Sequence, residues 1–133
     1  MCILCGNGLK CGLKLDRRGV SMFVRIYTGN DGQSHMEEMA ALTESVHRIP
    51  TKPGEDLVFR TFEEGRAVEW HNPTRRQYLF VLDGQMEVSV KDGTTLVFNP
   101  GDVLLAEDMT GQGHLTRSVG GSYTSVSMGI PDL

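Results

Sequence analysis

The chain has only three cysteines in 133 residues, and Cys2, Cys5 and Cys11 all fall in its first eleven positions. That excludes a disulfide framework over the rest of the chain. Cys2 and Cys5 have the gap of a zinc knuckle and Cys11 offers a third thiol. No fourth Cys or His follows before His35, so a reduced, solvated tail is the stronger reading. Positive charge is also short: 13 Lys and Arg stand against 17 Asp and Glu, a formal net charge of −4. A phosphate-backbone binder needs a concentrated positive surface, so no nucleic-acid partner is expected. No apolar run approaches the roughly 20 residues of a membrane-spanning helix, and no membrane partner is expected either. Gly, Asn and Lys interrupt the opening segment, which therefore does not read as a signal peptide. A soluble, cytoplasmic protein is the expectation.

What the chain does have is short strands and turns. Its length suits one domain with one core. Residues 1–21 read as a flexible N-terminal extension and 22–133 as the domain. "FVRIYTG" is β-rich and runs into "GNDG", where Asn and Gly are expected to supply positive φ. "MEEMAALTE" is ambiguous between a short helix and an extended edge, and "RIPTKPGED" stops any helix with two prolines. Beyond Asp56 the pattern sharpens. "DLVFRTF", "RAVEW", "QYLFVL", "QMEVSV", "TTLVF", "DVLLAE", "HLTRSV" and "SYTSVSM" succeed one another, separated by Gly-rich turns. Such spacing signals an all-β sandwich or small barrel.

Alternation predicts how the strands face. Met86, Val88 and Val90 share one side of a strand, and Glu87 and Ser89 share the wet side. "QYLFVL" is apolar on both sides, with Leu79 and Val81 opposite Tyr78, Phe80 and Leu82. It reads as a central strand covered on its second face by another sheet or a partner subunit, and a homodimer is expected on that ground. "LFVLDGQMEVSVKDGTTLVF" reads as three antiparallel strands joined by two "DG" hairpin turns.

Two segments resemble the motifs of a known family, the cupins. The first motif of that family runs Gly, five residues, His-x-His, three or four residues, Glu, six residues, Gly. "GRAVEWHNPTRRQYLFVLDG" sets Gly65, His71, Gln77 and Gly84 on this spacing, with Pro73 in place of the second His and Gln77 in place of the Glu. The second motif begins Pro-Gly-Asp and ends in His; "NPGDVLLAEDMTGQGH" has Pro100, Gly101, Asp102 and His114. The resemblance covers roughly residues 55–130 and implies an all-β, cupin-type double-stranded β-helix, or jelly-roll, barrel. It does not settle function, because cupins host isomerases, dioxygenases, decarboxylases, lyases and plain binders.

A full cupin site implies three imidazoles and a carboxylate around a divalent iron, manganese, nickel or zinc ion. Here the resemblance leaves His71, Gln77 and His114 as metal ligands. Glu69, two residues before His71 and so on the same face of a regular strand, is a substitute ligand. His71 and His114 are the catalytic candidates, and Trp70, His71, Arg76, Gln77 and His114 the ligand-binding set. Strand alternation sends Arg75 and Arg76 to opposite faces, one of them toward the barrel mouth as an anion clamp. Glu107 and Asp108 diverge in the same way, and a pocket acid near His114 would serve as general base or orient that imidazole through its second nitrogen. The leading reading is a small cupin that binds a small polar or anionic molecule, with or without a divalent metal, its specific activity open. The alternatives are a metal-dependent dioxygenase, isomerase or lyase, and a metal-free sugar epimerase or isomerase with His71 as base. Whether the protein is an enzyme at all stays open at this point.

Overall fold

A computed structural model of the protein describes residues 22–40 and 46–132. The expected N-terminal extension, its cysteines and the "ALTES" part of the ambiguous segment lie outside the described residues. Among those described there is no helix, and ten strands succeed one another: β1 (Phe23–Thr28), β2 (Ser34–Glu38), β3 (Leu57–Phe62), β4 (Ala67–His71), β5 (Gln77–Asp83), β6 (Met86–Ser89), β7 (Thr95–Phe98), β8 (Val103–Glu107), β9 (His114–Ser118) and β10 (Tyr123–Gly129). Each of the eight strand segments expected beyond Asp56 coincides with one of them to within about a residue at either end. The ambiguous stretch opens as an extended edge, β2.

The strands form a six-stranded sheet, in the order β2-β1-β8-β5-β10-β3, and a four-stranded sheet, β4-β9-β6-β7. Strands β3 to β10 thus divide into two four-stranded layers, β3-β10-β5-β8 and β4-β9-β6-β7, with every connection but β6–β7 passing from one layer to the other, which is the double Greek key of a jelly roll. β1 extends the first layer by pairing in parallel with β8, and β2 returns antiparallel along β1. The core lies between the layers. Phe98, Ile26, Met86, Leu104, Val81 and Val88 are all at most 2% exposed there, and each such side chain contributes about 1.5–3 kcal/mol by leaving water.

Two expectations need correction. The first "DG" is not a hairpin turn: β5 pairs with β8 and β10, whereas β6 pairs with β7 and β9. Asp83 and Gly84 carry the chain from one sheet to the other, with Gly84 at φ 76° and so close to the Ser122 carbonyl that a Cβ would sit 2.2 Å from its oxygen. Local turn chemistry is the same for a hairpin and for a crossover, so the dipeptide could not report which strand becomes the partner. The second "DG" does close a hairpin, β6 to β7, through Val90 N–H to Thr94 O and Gly93 N–H to Val90 O. The other correction is to "GNDG", where positive φ is confined to Gly32, at 75°, and Asn30 does not adopt it.

The two faces of β5 are covered differently. Leu79 and Val81 join the core between the sheets, while Tyr78 and Phe80 pack outside the six-stranded sheet against Phe23, Val103, Leu105 and Ile130. The doubly apolar strand thus finds much of its second cover within its own chain. Leu82 stays half exposed.

Candidate functional site

At one end of the barrel the two sheets part around a cavity of about 290 Å³, at the small end of ligand pockets. β4 and β9 supply His71, His114 and Thr116; β5 supplies Gln77 and Leu79; β3 and β10 supply Arg60, Phe62, Tyr123 and Ser125; Arg66 stands at the start of β4. Three of the sequence candidates, His71, Gln77 and His114, come together here. Trp70, Arg76 and Glu69 do not line the cavity.

The reason for Glu69 is a β-bulge. Val68 faces Thr116 and His71 faces His114 across the β4–β9 pair, so three steps on β4 match two on β9. The extra residue breaks the alternation, and Val68 and His71 line the cavity while Glu69 is exposed. Glu69 contributes its backbone instead: its carbonyl accepts a hydrogen bond from His71 Nδ1 at 2.8 Å. Bulges re-aim side chains in this way, and period-two reasoning has no means of seeing one. Trp70, beside it, is 37% exposed and carries the Lys91 ammonium 4.2 Å from its ring centroid.

The two imidazoles lie 4.5 Å apart, centroid to centroid, tilted by 59°. They are held differently. His71 is half-buried, and that burial, followed by the neighbouring His114, holds its pKa below the ordinary value against the pull of the Glu69 carbonyl. His114 is 4% exposed, and its Nδ1 donates to Asp108 Oδ2 at 2.7 Å. Asp108 is fully buried, and the same oxygen accepts from Ser34 Oγ at 2.6 Å. With Nδ1 engaged, Nε2 is the nitrogen that His114 offers to the cavity. Asn72 ties the two walls together, donating to the carbonyls of Asp108, at 2.8 Å, and Thr110, at 3.1 Å. Gly113, at φ 76°, lets β9 approach so closely that a Cβ there would lie 2.0 Å from the His71 oxygen.

The paired residues diverge as alternation requires. Asp108 turns inward behind His114. Glu107 turns outward, where Arg76 Nε donates to it at 2.7 Å and Arg25 completes a second ion pair. Burial raises the Glu107 pKa, and the two guanidiniums overcome that and leave it below the ordinary value. Arg76 also donates to the Pro131 carbonyl, so it is committed to the outer network and is not a clamp at the mouth. Arg75 faces the other way, donating to Gln77 Oε1 at 3.1 Å and to Glu55 at 3.0 Å.

The cationic groups on the cavity are Arg60 and Arg66, neither singled out from the sequence. Arg60 alternates with Val58 and Phe62 on the face of β3 that its register with Ser127, Ser125 and Tyr123 turns inward. An Arg in phase with apolar residues on a strand was the signal available. The Arg66 guanidinium sits 5.1 Å from the Phe62 centroid, and Phe62 stacks on Tyr123 at 4.9 Å. Tyr123 is 2% exposed, and burial pushes its phenol up to about 12, so it is a neutral O–H donor over the physiological range.

The donor set does not fit a tightly held metal. No group of three His, Cys, Asp or Glu side chains converges among the described residues. Pro73 has no donor, Asp108 stands behind His114 on Nδ1, and the Gln77 oxygen already accepts from a guanidinium. A cation there would meet two neutral nitrogens and an amide oxygen polarised by a positive charge, with no carboxylate to offset its own.

No protein-family model matches the chain, and no curated protein matches it. Solved structures are similar to it at low identity. A cupin superfamily protein from Desulfitobacterium hafniense is 13% identical over 93% of this chain and 90% of that one, with a TM-score of 0.47. Protein NMB1881 from Neisseria meningitidis is 16% identical over 65% of this chain and 90% of that one, at 0.45. A cupin 2 conserved barrel domain protein from Leptotrichia buccalis is 17% identical over 72% and 50%, at 0.43. The strand order itself makes the described chain an all-β jelly-roll barrel, the architecture that the resemblance in the sequence implied.

Proposed function

We propose that the barrel binds a small organic anion, a carboxylate by preference, without requiring a metal. The observation that carries this is the joint placement of Arg60 and Arg66 with His71 and His114 around one cavity of about 290 Å³. Guanidinium matches a carboxylate in shape and charge. The imidazoles and the Tyr123 hydroxyl provide directional polar contacts against the apolar walls of Leu79, Met86 and Leu104. The metal-dependent alternative is the weaker reading because the donor set lacks a third ligand.

The test is a ligand screen by saturation-transfer NMR followed by calorimetry. It uses pyruvate, 2-oxobutanoate and 2-oxoglutarate, with glycerol as an uncharged control and metal-chelated protein throughout. Wild type is expected to bind at least one of the acids in preference to glycerol. Arg60→Ala and Arg66→Ala each remove a hydrogen bond to a charged group, about 1.5–3 kcal/mol, and are expected to weaken binding by about tenfold or more. Equal affinity for glycerol, or full affinity in both variants, would sink the reading.

A further inference from the structure

We infer that His114 is a general base that moves a proton on carbon in the bound anion, with Asp108 as its positioning residue; this rests on the anion-binding reading above. The substrate class is a small carboxylate with a C–H bond beside a carbonyl. The reaction class is enolisation, leading to tautomer, isomer or epimer exchange.

The geometry separates the two imidazoles into different roles. His114 gives Nδ1–H to a carboxylate with 0% of its surface exposed, at 2.7 Å. That fixes the tautomer with its lone pair on Nε2 and places a negative charge behind the ring to balance the imidazolium formed when Nε2 takes a proton. His71 leans on a backbone carbonyl instead, which orients the ring but adds no charge behind it. The base thus sits on His114 and not on His71, the base of the epimerase reading drawn from the sequence. Ser34 rigidifies the carboxylate from β2 at 2.6 Å. Its hydroxyl bonds the carboxylate and not the imidazole, so these three residues lack the nucleophile-to-base contact of an acyl-transfer triad. The step balances within the site: the C–H bond breaks, its proton passes to His114 Nε2, and its electron pair moves onto the carbonyl as an enolate. Return of the proton from Nε2 to another carbon, or to the same carbon after the enolate has turned its other face to the imidazolium, completes the reaction with no net redox change. Arg60, Arg66 and the Tyr123 O–H line the cavity to meet the charge that develops on oxygen.

The experiment is proton exchange in D2O, followed by NMR on pyruvate, 2-oxobutanoate and 2-oxoglutarate beside the saturation-transfer signal of the same samples. Wild type is expected to wash out the C3 protons at least tenfold faster than buffer. His114→Gln is expected to lower that enzymatic rate about 100-fold, within the span of general-base effects, a far larger loss than that of its affinity for the same acid. Asp108→Asn is expected to lower it similarly and to change the tautomer of His114 in the side-chain 15N spectrum. Saturation transfer without accelerated exchange overturns the proposal and leaves the anion-binding reading standing. No saturation transfer from any of the three acids overturns both. Undiminished exchange in folded His114→Gln, or a wild-type spectrum lacking the Nδ1-protonated tautomer at His114, overturns it too.

Discussion

Gly113 shows how one backbone position holds the site together. Its φ of 76° is open to glycine at little cost, and its missing Cβ is what allows β9 to lie against the His71 carbonyl. Gly113→Ala is therefore expected to lose about 2–4 kcal/mol of stability, by the combination of backbone strain and steric overlap. It is also expected to weaken carboxylate binding, because the His71–His114 spacing must open. Urea unfolding and calorimetry on the same preparation check both, and a variant within about 0.5 kcal/mol of wild type would contradict the close approach. The residues of the site differ in how far they were legible. His71, Gln77 and His114 stood out as polar anchors at family spacing, whereas Glu69 was misplaced because a bulge shifts the phase of every residue beyond it. Arg60 was visible only as a charge in step with apolar neighbours.

Strands join into two sheets, and the turns between them are tied by a charge cluster that does not belong to the cavity. His35 on β2 places Nε2 3.0 Å from Asp31 in the β1–β2 turn and Nδ1 3.1 Å from Asp92 in the β6–β7 turn. One imidazolium thus bridges the two layers. Its pKa is raised, first by the Asp31 bond and then by Asp92, against a smaller opposing effect of desolvation. A raised folded pKa means that the native state binds the proton more tightly than the unfolded chain, so the contribution is full below about 6.5 and is lost as pH rises through the folded value. The urea midpoint of wild type is expected to fall as pH rises through the window above about 6.5, relative to that of His35→Gln, which lacks this contribution. Parallel curves for the two proteins over that window would remove the bridge from the account. The strands were legible because their period-two pattern is local. The crossover at Asp83–Gly84 was not, because the same turn serves a hairpin or a change of sheet.

Over the whole molecule the net charge is −4, yet the proposed ligand is an anion. The attraction must then be local, from Arg60 and Arg66 at the mouth, and the remainder of the surface opposes it. Carboxylate binding is expected to weaken several-fold between about 20 mM and 500 mM salt, as the Debye length shrinks from roughly 20 Å to 4 Å. Calorimetry at the two salt levels checks this, and salt-independent affinity would point to recognition by shape and hydrogen bonds alone.

By itself the sequence determined the class of the molecule: an all-β fold, the positions of its strands beyond Asp56, and three of the polar groups on its cavity. Those features follow from alternation, glycine and proline placement and motif spacing, all of which act within a few residues of the chain. Only the tertiary structure decided which sheet each strand joins, that Asp108 stands behind His114, that Arg76 turns away to Glu107, and that Arg60 and Arg66 meet the imidazoles. Those contacts depend on how strands and loops are set against one another, by register and by a single bulge, even where the residues are as near in sequence as Asp108 and His114, and no local pattern encodes them.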